Sequence, residues 1–294
     1  LYAVQETDGD QAVYALAVAP AGELTILNSQ PATGAFPCHL ILDGEEENVI
    51  CANYGGGSVN VYPLSADGQL GKLSHAVQHE GHSVNPARQK GPHAHCVALD
   101  GTGEHIFVAD LGLDQVKVYG LEDGRLVARD PAYAGLYAGA GPRHIAVRPD
   151  NRFVYVVNEL GGTITGFAHE DGVLTEVQTI STLPDGWMEA PSCAAIRFAP
   201  SGQFLYASNR GHDSIAIFAC DGESGQLTAL GHEPTLGGAP RDFALTPDGA
   251  HLLAANQDTD TVVVFRVNGE TGLLRATGMT IDVPNPVALE MRPE

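Results

Sequence analysis

The chain has 294 residues, of which 44% are hydrophobic and 17% charged, enough to bury one large core or two smaller ones. Its formal net charge of −21 repels nucleic acid and anionic membrane surfaces, so neither is expected as a partner. Five widely spaced cysteines without a CxxC pair argue against a disulfide framework or a zinc site, and no run of 18 apolar residues offers a membrane-spanning helix.

Taken in chain order, the sequence repeats itself. Leu1 opens inside what reads as the second strand of a repeat, ending at Glu6. The DGD of Asp8–Asp10 has the look of a calcium loop but lacks the downstream Glu of an EF-hand. Repeats then start at Pro37, Pro92, Gly141, Pro191 and Ala239. Each begins with a short apolar strand, a turn such as PDN, PSG, PDG or DGTG, and a second strand closing on a polar residue. A Gly/Asp turn, an alternating third strand and a fourth strand follow, the last as in GQLGKLSHAV (68–77) and GQLTALGHEP (225–234). His75, His79 and His82 read as part of a surface loop, and the single Trp187 follows Pro184-Asp185-Gly186 in a long connection. PNPVALEM (284–291) reads as one more first strand.

A four-stranded antiparallel unit recurring about every 50 residues predicts an all-β chain, a β-propeller with about six blades' worth of strands in a single domain over residues 1–294. Helical periodicity is nearly absent.

The second strands end at Glu6, Tyr54, Asp110, Glu159, Arg210 and Gln257, at steps of 48, 56, 49, 51 and 47. Fifteen residues before the last five stand His39, His95, His144, Ala195 and Asp242. A hairpin with its turn midway sets such pairs nearly opposite each other, so His144 is expected to face Glu159 and His95 to face Asp110, all at one mouth of the channel. Arg143 and Arg241 sit one residue earlier than two of these.

A cluster of His, Glu and Arg can do acid–base work on an anionic substrate. A Glu or His takes a proton from water, and an Arg holds a phosphate or carboxylate with two parallel hydrogen bonds or stabilises an oxyanion. His95, Arg143, Glu159 and Arg210 are therefore the candidate catalytic residues, with His144, Asp110, Arg241 and His39 as candidate substrate-binding residues. Asp110 equally suits a turn cap, Arg241 a local ion pair, and His39 a packing role. No metal-ligand spacing, GxSxG elbow or P-loop occurs, so no metal and no cofactor is expected.

The segments NPARQKGPHAH (85–95), GAGPRHIAVRPDNRFVYVVNEL (139–160), STLPDG (181–186), SNRGHDSIAIF (208–218) and APRDFALTPDG (239–249) resemble the lactonase family of seven-bladed propellers, which includes bacterial-type 6-phosphogluconolactonase and fungal carboxymuconate cyclase. The resemblance implies the same active-site residues, His95, Arg143, Glu159 and Arg210, with His144 nearby. It also implies that N-terminal strands of the closing blade precede Leu1. One departure is Ala195, where the family commonly carries an acid.

The expected activity is metal-independent hydrolysis of a sugar lactone, 6-phosphoglucono-1,5-lactone to 6-phosphogluconate in the pentose phosphate pathway, with a small anionic lactone as the partner. The alternatives are lactonisation of carboxy-cis,cis-muconate and a non-catalytic propeller binding a ligand or protein at its rim. The cysteine usage and the lack of a visible signal peptide lead us to expect a cytoplasmic location.

Overall fold

The computed structural model describes residues 1–291 of the chain. It contains 23 strands, and the only helical turn among the described residues is a 3-10 turn at Gln257–Thr259. No helix among them is long and apolar enough to cross a membrane. Two compact units are present: Leu1–Pro142 with Asp171–Val173, and Arg143–Glu170 with the chain from Leu174 onward.

In the first unit, β1 (Tyr2–Val4), β2 (Ala12–Val18) and β3 (Leu24–Pro31) form a three-stranded antiparallel sheet. A four-stranded meander follows, made of β4 (Pro37–Leu42), β5 (Asn48–Asn53), β6 (Ser58–Pro63) and β7 (His75–Gln78). The next meander is β8 (Ala94–Leu99), β9 (Ile106–Asp110), β10 (Gln115–Glu122) and β11 (Arg125–Gly135). Every residue of β5 and of β9 is buried, which is why these strands read as continuous apolar runs rather than alternating ones. Ile50, Val59 and Val61 pack with Val97, Ile106, Val108 and Tyr119 into one apolar layer between the two meanders.

The second unit repeats the arrangement three times. Its meanders are β12 (Pro142–Val147), β13 (Phe153–Asn158), β14 (Thr163–Glu170) and β15 (Val173–Ser181); β16 (Cys193–Phe198), β17 (Phe204–Asn209), β18 (Ser214–Cys220) and β19 (Leu227–Pro234); and β20 (Pro240–Leu245), β21 (His251–Asn256), β22 (Thr261–Val267) and β23 (Leu274–Asp282). Tyr155, Val157, Leu205, Ala207 and Phe218 fill the layer between the first two, and Tyr206, Ile217, Phe243, Phe265 and Leu274 that between the second pair.

Two expectations are corrected here. PNPVALEM (284–291) is not a strand: Pro284 and Pro286 lack an N–H, and no ladder partner is present among the described residues. The segment is instead tied by Leu289, whose backbone N–H donates to Asp242 Oδ2 at 2.9 Å. The pairing at the blade ends is also shifted. In β4, β8, β16 and β20 the first residue pairs with the last residue of the next strand, as Pro37 with Asn53, Ala94 with Asp110, Cys193 with Asn209 and Pro240 with Asn256. A bulge then follows in each. Asp110 therefore belongs to the column of Asn53, Asn158, Asn209 and Asn256, one position ahead of Tyr54, Glu159, Arg210 and Gln257. His95 falls in the bulge column with Cys38 and Arg241, and Arg143 holds the corresponding place in β12. A bulge re-aims the side chain it carries, which takes His95 out of the flat pairing with Asp110 that a spacing of 15 implies.

Candidate active site

In the second unit, three of the expected residues meet. Arg143 Nε lies 3.1 Å from Glu159 Oε2, and Arg210 Nη2 lies 3.0 Å from the same oxygen. Both Arg143 and Glu159 are buried, at 2% and 5% exposure. Arg210 is less so, its side chain 17% exposed. Glu159 follows the last residue of β13 and Arg210 the last of β17, so equivalent turns deliver the acid and one base. Arg143 comes from the start of β12.

The backs of both guanidinium groups are fixed to the chain entering β16. Arg143 Nη1 donates to the Ala194 carbonyl at 2.7 Å. Arg210 Nε and Nη2 donate to the Ser192 and Cys193 carbonyls, each at 3.2 Å. These three carbonyls were not among the sequence-based candidates, because a backbone group leaves no mark on residue identity. Two guanidinium groups steadied by one carboxylate form a preorganised set of donors, suited to stabilising negative charge that develops on a substrate oxygen.

The neighbouring turns add aromatic groups. Trp187 is half-buried and meets the His212 ring edge-on at 4.7 Å, and His212 meets His232 at 5.5 Å. Burial, with His232 nearby, pushes the His212 pKa below the ordinary histidine value. His144 is half-buried at the second position after Pro142. Arg241 is half-buried in the bulge of β20. Its neighbour Asp242 is buried and takes Arg197 Nη2 at 3.2 Å, so that acid serves an ion pair within the unit. Ala195 does not reach the polar cluster. It packs with Tyr206, Ile215 and Phe243, so an acid there would lose hydration in an apolar layer.

In the first unit, His95 is buried beside Tyr54, their rings edge-on at 5.5 Å. His93 stacks on the other part of the same ring at 4.5 Å, and its Nδ1–H donates to the Tyr54 carbonyl at 2.8 Å. His39 is half-buried, with Nδ1 accepting from the Val97 N–H at 3.4 Å and Nε2 at 3.7 Å from Cys96 Sγ. Asp110 is fully buried. Its Oδ1 accepts from the His93 and Gly112 backbones at 2.8 and 3.0 Å, and its Oδ2 lies 2.6 Å from His79 Nδ1. His79 was expected in a surface loop. It is 4% exposed and bridges Asp110 to the Tyr119 hydroxyl, because a buried imidazole must satisfy both nitrogens.

The sequence-based candidates also omitted Arg88. Its Nη2 donates to the Tyr54 hydroxyl at 3.0 Å, and the signal was present in NPARQKGPHAH, where cations and histidines crowd an otherwise acidic chain.

Comparison with known proteins places these residues in a family. The profile described as "Lactonase, 7-bladed beta-propeller" matches residues 1–291. A Bacillus subtilis 6-phosphogluconolactonase is 35% identical over 246 residues, covering 83% of this chain and 70% of the relative. Among solved structures, the periplasmic gluconolactonase PpgL of Pseudomonas aeruginosa superposes with a TM-score of 0.93 at 32% identity, over 98% of this chain and 84% of that one. A Bacteroides fragilis structure provisionally named a 6-phosphogluconolactonase gives 0.92 at 36% identity, over 97% and 82%. The chain spans about two thirds of the curated relatives it matches, 70% of the Bacillus protein and 64% of two from Lactococcus lactis.

Proposed function

Because the chain belongs to the lactonase family of seven-bladed β-propellers, we propose that it hydrolyses 6-phosphoglucono-1,5-lactone to 6-phosphogluconate. Water adds to the lactone carbonyl carbon, the carbonyl oxygen becomes an oxyanion, and the ring C–O bond breaks as the ring oxygen takes up a proton. Arg143 and Arg210 stabilise the oxyanion, and Glu159 or His95 receives the proton from water. No metal is needed in this scheme, since the positive charge that polarises the carbonyl is carried by the two guanidinium groups.

The observation that carries the reading is the single carboxylate oxygen of Glu159 shared by two arginines that the backbone of 192–194 fixes in place. The names of the relatives support the lactone. The reaction belongs to the pentose phosphate pathway, and a cytoplasmic site fits the fully buried Cys51 and Cys193, whose thiols are held protonated by burial.

The test is lactone opening on freshly generated substrate with the spontaneous rate subtracted. Arg210→Ala should lower kcat/KM by about 100-fold or more, as the loss of one oxyanion donor does elsewhere. A folded Arg210→Ala variant that matches the wild-type rate would take Arg210 out of the chemistry, and a folded wild type no faster than the spontaneous reaction would leave the propeller with a binding role only.

A further inference from the structure

We propose that Arg88, with Tyr54 and His93, forms a binding site for the phosphate of a phosphorylated sugar lactone. The inference rests on the lactone reading above, from which it takes the ligand: a phosphorylated sugar lactone whose anionic tail Arg88 serves.

The first observation is charge. The chain carries 36 acidic and 15 basic residues, yet Gly81–Leu99 contains no Asp or Glu while holding His82, Arg88, Lys90, His93 and His95. A negative ligand approaching a molecule of net charge −21 needs such a local reversal of sign.

The second is preorganisation. The loop before β8 is pinned from beneath rather than left to move. Asn85 Oδ1 accepts from the Ala87 and Arg88 backbone N–H groups at 3.0 and 3.1 Å. Gln89 is fully buried, donating to the Leu111 carbonyl at 2.8 Å and to Asp114 Oδ1 at 2.7 Å. The Arg88 guanidinium is then aimed by the Tyr54 hydroxyl, and the Tyr54 ring is held by His93 and His95. Holding a guanidinium in one geometry before the ligand arrives lowers the entropy cost of binding.

The third is reach. Arg88, Tyr54 and His93 are half-buried, so each residue keeps some contact with solvent while remaining fixed. That combination suits bidentate recognition of phosphate. Tyr54 also occupies the same position in its blade as Glu159 and Arg210 do in theirs, directly after a buried Asn that ends the second strand.

The experiment compares wild type, Arg88→Gln and Arg88→Lys on 6-phosphogluconolactone and on unphosphorylated gluconolactone, with calorimetric binding of 6-phosphogluconate and gluconate in parallel. The expected result for Arg88→Gln is a KM for the phosphorylated lactone raised about 10- to 100-fold, with kcat and the unphosphorylated lactone unchanged. Arg88→Lys, which keeps the charge and loses the fork, should fall between and serves if the Gln variant does not fold. Equal losses on both lactones, or none on either, would overturn the proposal. If wild type opens neither lactone, the hydrolase reading fails and calorimetry decides: loss of 6-phosphogluconate binding in Arg88→Gln sustains the phosphate site. Affinity that is equal for both acids, unchanged by the substitution, or absent in wild type removes it.

Discussion

Glu159 compensates two guanidinium groups in a buried setting, so its contribution to catalysis and to stability cannot be separated by truncation alone. Glu159→Gln keeps the shape and removes the charge, leaving Arg143 and Arg210 facing each other. Breaking a buried pair in this way costs about 3–5 kcal/mol, so the urea midpoint should fall along with kcat. Arg210, the more exposed partner, should cost less stability for a comparable loss of rate. A second prediction concerns the thiols. Burial pushes Cys51 up to about 12 and Cys193 up to about 11. Because the thiolate is the reactive form, neither should react with a neutral-pH thiol reagent until the protein unfolds. Rapid labelling of either in the native state would contradict the burial.

At the scale of the element, three blades tie a buried tyrosine to a neighbouring segment. Tyr155 donates to the Gly225 carbonyl at 2.6 Å and Tyr206 to the Gly272 carbonyl at 2.8 Å, both in turns before fourth strands. Those glycines need a left-handed backbone, at φ +71° and +72°, and a Cβ there would meet the rings of Phe153 and Phe204 at 2.3 and 2.4 Å. Tyr62 donates to the Pro31 carbonyl at 2.9 Å. Burial pushes the phenols of Tyr62 and Tyr119 up to about 12, against an ordinary value of 10.0, and pushes Tyr155 and Tyr206 up as well. A raised native pKa means the native state holds the proton more tightly. The stability is therefore complete below about pH 10 and is lost as the pH rises toward 12, by the order of 2–3 kcal/mol for each of Tyr62 and Tyr119. A spectroscopic titration should show only the exposed tyrosines ionising near pH 10, and the buried ones together with loss of the far-UV signal.

At the scale of the molecule, charge sets the response to solvent. With −21 spread over 294 residues, self-repulsion opposes the compact state at low ionic strength. Raising salt from about 10 mM to 150 mM shortens the screening length from about 30 Å to about 8 Å, so the melting temperature should rise over that range. The same salt should weaken any phosphate bound at Arg88, which separates the global effect from the local one. The six sheets among the described residues belong to a family whose fold has seven blades.

Much of this was legible in the sequence, and the physical reason is repetition. A strand buried on both faces must be apolar throughout, its turns must carry Gly, Asp or Asn, and copying both along the chain exposes the period and hence the fold class. Glu159 and Arg210 are visible for the same reason, as charges standing directly after the Asn that closes the second strand, and Arg143 as a charge at the start of a first strand. What the sequence could not supply was the phase within each blade. A bulge adds one residue to one strand without changing the pattern of residue types, so spacing alone puts Asp110 one position out of its column and Ala195 in a polar ring rather than in an apolar layer. Nor could it show that His79 is buried against Asp110, that 284–291 lacks a strand to pair with among the described residues, or that three backbone carbonyls steady the arginines. Those are decided by which groups tertiary packing deprives of water, since only then must every donor and acceptor find a partner.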